Sequence, residues 1–118
     1  MAFPDFASLE ALLSTERVRT IERIAALTRD RQGLIDSATG VGVDDEHDPE
    51  GATIAFERSQ LEALLDLSRR HLTDLDRALR QIRIGDYGIC ETCGEQIAYE
   101  RLAARPTARN CIICASRQ

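Results

Sequence analysis

The chain has 118 residues, fifteen of them arginine and none lysine, against twenty acidic residues, for a net charge of −5. That length admits one ordinary domain, or an elongated body with a small module attached, and argues against a large catalytic cleft. The negative balance supplies no general attraction to nucleic acid or to an anionic membrane, and five aromatic residues with no Trp leave Leu, Ile and Ala to pack the core.

From about Asp5 to Ala38 only Gly33 interrupts a helical pattern. Phe6, Leu13, Thr20, Leu27 and Leu34 recur at every seventh position, joined by Leu9, Ile24 and Ala38, which makes one imperfect apolar stripe. The segment TGVGVDDEHDPEG, residues 39–51, then brings Gly40, Gly42, Pro49 and Gly51 in quick succession and reads as a loop. Asp48 followed by Pro49 suits an N-cap and first helical position, since the carboxylate accepts an orphan amide and proline has none to leave unpaired.

The second helical pattern is cleaner. Steps of four and three select Ile54, Arg58, Leu61, Leu65, Ser68, Leu72, Leu75, Leu79 and Ile82, and the flanks carry Glu57, Glu62, Asp66, Arg69, Arg70, Arg77 and Arg80. One seam with a charged exterior is a coiled-coil signature, and it stops near Gly85 and Gly88. Two helices of about 34 residues with a short connection pack antiparallel, because neither narrow stripe is stable alone in water. At 1.5 Å per residue each is roughly 50 Å long. The expected fold is therefore all-α dominated: residues 1–84 form a long antiparallel helical hairpin with an acidic tip loop at about 39–48, and residues 85–118 form a small C-terminal module. The expected state is a monomer or a weak homo-oligomer, since such a hairpin can also pair with a second copy.

All four cysteines lie in that module. Cys90, Cys93, Cys111 and Cys114 make C-x2-C-x17-C-x2-C, the spacing of a four-thiolate zinc site. Each C-x-x-C forms a tight knuckle aiming two sulfurs at one point, and Gly94 permits the positive φ such a turn needs. Four thiolates close the tetrahedron, so one Zn²⁺ here is structural and stabilises about thirty residues that have little core of their own. The competing reading, a redox dithiol, normally has a single C-x-x-C at a helix start beside strands, and here the motif is duplicated without them. A DNA-reading finger is disfavoured because Glu95 and Glu100 offset Arg101, Arg105 and Arg109 between the pairs.

The tip segment DDEHDPE, residues 44–50, holds Asp44, Asp45, Glu46, Asp48 and Glu50 with no arginine. One reading is a solvated loop whose acids favour the following helix through its dipole. The other notes that the far end of a hairpin is what can enter a narrow cavity, where carboxylates would meet a basic pocket or a Mg²⁺ held by a partner. His47 and His71 are assigned no role. Phe56 is expected to pack near the tip, Tyr87 at the joint of hairpin and module, and Arg101, Leu102, Arg105 and Pro106 to fold the module against the helices, with Arg101 and Arg105 also available to a partner. The N-terminal segment MAFPDFASLE lacks the basic flank and apolar run of a secretory signal, and no apolar stretch spans a membrane, so a cytoplasmic protein is expected.

The stretch GDYGICETCGEQIAYERLAARPTARNCIIC resembles the zinc-finger signature of the DksA/TraR family of bacterial transcription regulators. Tyr87-Gly88, Cys-x-x-Cys-Gly, the run from Arg101 to Pro106 and the final Cys-x-x-Cys all match, over about residues 85–114. The resemblance implies a non-enzymatic regulator that binds bacterial RNA polymerase rather than DNA, inserting its hairpin into the secondary channel so that tip acids approach the active-site magnesium and modulate initiation. The family tip is often Asp-x-x-Asp-x-Ala. Here Asp45 and Asp48 fit the two acids and Glu50 replaces the alanine; an alternative alignment uses Asp48 and Ala52 in the first and near-final places, with Gly51 in place of the second acid. Only four residues follow Cys114, where longer members carry a helix. Members that respond to guanosine tetraphosphate place basic side chains around the joint; Arg105 fits, Asp74 and Ala115 do not, which implies weak alarmone dependence. The alternative function is a zinc-stabilised protein–protein interaction module or a coiled-coil dimer.

Overall fold

The computed structural model describes residues 6–39 and 49–117. Four helices follow in order: α1 (Ala7–Thr39), α2 (Pro49–Ile84), α3 (Tyr99–Ala104) and α4 (Ile112–Ser116). Among the described residues there is no strand, and the one extended pairing is an antiparallel bridge between Ile89 and Gln96. The long helical hairpin expected from the two stripes is present as α1 and α2, of 33 and 36 residues.

The helix ends follow from local chemistry. The Phe6 carbonyl accepts the Glu10 amide at 2.8 Å, closing the first turn of α1. At the end of α2, Gly85 adopts φ +81°, donating its amide to Ile82 O at 3.3 Å while the Asp86 amide reaches Gln81 O at 2.8 Å. That pair of bonds is a Schellman cap, which satisfies two otherwise orphaned carbonyls and turns the chain out of the helix. The residue expected to cap the start of α2, Asp48, lies outside the described residues.

The chain divides into two compact units. One combines Met1–Val18 with Thr73–Gln118, so it contains the start of α1, the end of α2 and the cysteine module. Its core joins all three: Leu9 and Leu13 from α1, Leu75 and Ala78 from α2, and Tyr87, Cys90, Ile97, Leu102 and Cys114 from the module, with Phe6, Leu79, Ile82 and Cys111 packed around them. Burying each Leu contributes on the order of 1.5–3 kcal/mol. The module is thus one wall of a shared core, the arrangement expected of a segment too short to enclose its own.

The other unit, Arg19–Leu72, is the rest of α1 and α2. Thr20, Leu65 and Ser68 are buried in it, and Ile24, Leu27, Leu34, Ile54 and Leu61 are half-buried. These are the positions selected by the heptad and four-three patterns. Arg58 departs from its seam position: it is exposed and pairs with Glu62 one turn on at 3.3 Å. Phe56 also departs from expectation, being 64% exposed. It sits two residues after Ile54, about 200° around the helix from the seam. No helix among the described residues is long and apolar enough to cross a membrane.

Candidate metal centre

The first knuckle begins where Gly88 and Gly94 take φ of +84° and +76°. The Ile97 amide donates to Gly88 O at 2.7 Å and the Cys90 amide to Glu95 O at 2.8 Å, while the Gly94 amide returns to Cys90 O at 3.0 Å, folding Cys90 to Cys93 into a tight turn. The second knuckle opens α4: Cys111 is its N-cap, and its sulfur accepts from the Cys114 amide at 3.5 Å. A backbone bond from the Glu91 amide to Arg109 O, 2.9 Å, ties the two knuckles together.

This backbone brings the sulfurs of Cys90, Cys93, Cys111 and Cys114 to within 4.8 Å of one another, with Cys93 and Cys111 at 3.9 Å. Four sulfurs about 2.3 Å from a tetrahedral zinc stand roughly 3.8 Å apart. None of the four is in a disulfide. The donor set and the spacing fit one structural Zn²⁺, with no position left for water or substrate.

The four thiols differ in their surroundings. Cys90 is pulled down to about 6, first by the backbone amide of Cys111 and then by that of Cys93. Cys111 is lowered chiefly by the Cys114 amide. Cys114 is pushed up to about 12, above all by the neighbouring Cys111 sulfur and then by burial. Cys93 is raised as well: the Glu95 amide draws it down, but the Cys90 sulfur and loss of solvation outweigh that. One thiol of each knuckle is lowered by backbone amides, while the other keeps its proton to donate to a neighbouring sulfur and is further raised by loss of solvation; a divalent cation would take the place of those shared protons.

The joint with the helices is dense. Tyr87 is 5% exposed, meets the Phe6 ring edge-on at 4.8 Å between centroids, and donates its hydroxyl to Pro106 O at 2.8 Å. Burial pushes the Tyr87 hydroxyl up to about 12. Two ion pairs flank the knuckles: Arg77 with Glu91, and Arg109 with Asp74 at 2.9 Å. Arg101 donates from Nε to Asn110 O at 2.8 Å, next to Cys111, and is half-buried; Arg105 is exposed. Leu102 is buried in the shared core.

Of the acidic tip, Asp44, Asp45 and Asp48 lie outside the described residues, as does His47. Glu50 is in the first turn of α2 by its backbone alone. Glu91 and Asn110 carry no signal in the sequence, and Asp74 stands out there only as an acid at a joint position where a basic side chain is sought. The contacts of Glu91 and Asp74 become visible only when the knuckles meet α2, and those of Asn110 only when the knuckles meet each other: its Oδ1 is 3.0 Å from Thr92 Oγ1 and 3.7 Å from Cys90 Sγ.

Residues 85–118 match the family described as the prokaryotic dksA/traR C4-type zinc finger. Over 65 residues, 54% of this chain and 27% of the relative, the sequence is 46% identical to an uncharacterised protein, YteA, of Bacillus subtilis. Over 49 residues, 42% of this chain and 32% of the relative, it is 41% identical to the RNA polymerase-binding transcription factor DksA of Escherichia coli K12. The chain spans less than half the length of these curated relatives. In three dimensions it is similar to transcription factor DksA2 from Pseudomonas aeruginosa, with a TM-score of 0.79 and 28% identity over 98% of this chain and 89% of that one.

Proposed function

This chain is a DksA/TraR family protein, and from that premise we propose that it is a transcription regulator that binds bacterial RNA polymerase in the cytoplasm. The observation that carries the reading is the likeness to transcription factor DksA2, which extends over 98% of the chain, through both long helices as well as the finger. The same four-sulfur centre, closed to substrate, suits a protein whose work is contact and not turnover.

In this reading Cys90, Cys93, Cys111 and Cys114 hold one Zn²⁺, which supplies a fixed tetrahedral crosslink between the two knuckles. The knuckles in turn hold Glu91 and Arg109 against Arg77 and Asp74 of α2, and place Tyr87, Leu102 and Cys90 on the core that α1 closes. Residues 1–84 are the inserting hairpin and residues 85–118 the finger. The hairpin enters the secondary channel, and the acids of its tip, Asp44, Asp45, Asp48 and Glu50, approach the catalytic Mg²⁺ and alter initiation through charge. Arg105, exposed beside the joint, is available to the polymerase; Arg101 is occupied within the finger by Asn110 O.

The test is in vitro initiation with Asp45→Asn combined with Asp48→Asn. The variant should still bind polymerase while losing its effect on open-complex lifetime; a variant that regulates like the parent would remove the tip from the mechanism. A second reading, a coiled-coil interaction module or dimer, draws on Phe56, Leu64 and Leu67, which are 64%, 48% and 57% exposed on α2. Sedimentation at low concentration separates the two: a persistent dimer favours the module.

A further inference from the structure

A zinc ion with four thiolates carries a net charge of −2, and Cys90, 2% exposed, is the most buried of the four cysteines. Such a centre is stabilised by hydrogen-bond donors aimed at sulfur, which spread the excess charge. Backbone amides of Cys111, Cys93 and Thr92 already converge on Cys90. One side chain does too: the terminal amide of Asn110, with Oδ1 3.7 Å from Cys90 Sγ and 3.0 Å from Thr92 Oγ1. Both neighbours face the same end of that amide.

A free thiol can donate to an amide oxygen, but a zinc-bound thiolate has no proton and only accepts. An oxygen facing it would be repelled. The nitrogen of the same amide has two hydrogens, one for each neighbour, and the Thr92 hydroxyl accepts as readily as it donates. The amide's two ends are close in shape, so exchanging them needs no change in the backbone. The backbone of Asn110 is separately anchored, its carbonyl accepting from Arg101 Nε at 2.8 Å, which keeps the side chain in reach of the sulfur.

We propose that Asn110 is a positioning residue of the metal centre, its side-chain N–H donating to the zinc-bound sulfur of Cys90 and to Thr92 Oγ1. The role goes beyond polymerase binding and rests on Cys90 being a zinc ligand. Outer-shell partners of this kind change metal affinity by about 10–100-fold when removed.

The test compares the parent chain with Asn110→Ala and Asn110→Asp at pH 8, measuring zinc affinity by competition with a chromophoric chelator and the thiolate-to-metal absorption of the cobalt(II) form. Both variants keep the Asn110 backbone carbonyl, so a merely structural role predicts similar behaviour. The donor role predicts an order: Asn110→Ala loses the donor and weakens zinc about tenfold, and Asn110→Asp, which sets a carboxylate against the sulfur, weakens it further, toward 100-fold. The cobalt band should shift in both. Helical circular dichroism at saturating zinc reports whether the variants fold. A parent that binds one zinc while Asn110→Asp equals it in affinity and cobalt spectrum, or binds more tightly than Asn110→Ala, would overturn the role of Asn110 alone. A parent that takes up no zinc would overturn the metal centre and this role together.

Discussion

Gly88 and Gly85 form a matched pair that separates backbone strain from packing at the base of the hairpin. Both have φ near +80°, at +84° and +81°. A Cβ added at Gly85 meets nothing within 4 Å, whereas one added at Gly88 comes to 3.3 Å from both Leu102 Cδ1 and Phe6 Cζ. Alanine at Gly85 therefore costs only the left-handed backbone, about 1–2 kcal/mol. Alanine at Gly88 costs that and also displaces a buried leucine and an aromatic ring, overpacking worth about 1–3 kcal/mol more. Leu102 has little room to yield, being 1% exposed, and Phe6 is held edge-on against Tyr87. Urea denaturation of the zinc-loaded proteins, followed by helical circular dichroism, measures both costs. The expected losses are about 1–2 kcal/mol for Gly85→Ala and about 2–5 kcal/mol for Gly88→Ala. Equal losses would refute the close approach of Phe6, Gly88 and Leu102, and with it the shared core.

Tyr87→Phe should cost about 1 kcal/mol at neutral pH by leaving Pro106 O without its partner. It should also flatten the alkaline limb. The folded Tyr87 hydroxyl is raised to about 12 from the ordinary 10, so the folded state holds its proton longer than the unfolded one. The corresponding stability is full below pH 10 and lost as pH rises toward 12, a loss that stability measurements across pH 9–12 should find in the parent and see reduced in the variant. Gly33 lies within α1, exposed, with nothing within 4 Å of an added Cβ. Gly33→Ala should raise stability by about 0.5–1 kcal/mol in thermal or urea unfolding, because glycine loses more conformational freedom in a helix.

What could be read from the sequence was whatever local periodicity and spacing encode. Leu13 and Thr20 in α1, and Leu65, Ser68 and Leu75 in α2, are buried where the stripes place them. The cysteine spacing is enough to bring four sulfurs together, because each knuckle is set by a few neighbouring residues. Ala78 was not legible: it lies off the four-three seam and is 2% exposed because the module widens the buried face of α2 at its base. Phe56 misled for the opposite reason, since an aromatic residue suggests packing while its angular position points it outward. The pairs of Arg77 with Glu91 and Arg109 with Asp74, and the approach of Asn110 to Cys90, depend on turns that bring distant segments together, and no periodic pattern records them.

The most direct measurement is binding of the purified, zinc-loaded chain to bacterial core RNA polymerase, with another secondary-channel factor as competitor. Insertion of the hairpin into the secondary channel predicts saturable binding that the competitor displaces. No binding at micromolar protein, or binding that the competitor leaves untouched, would contradict it.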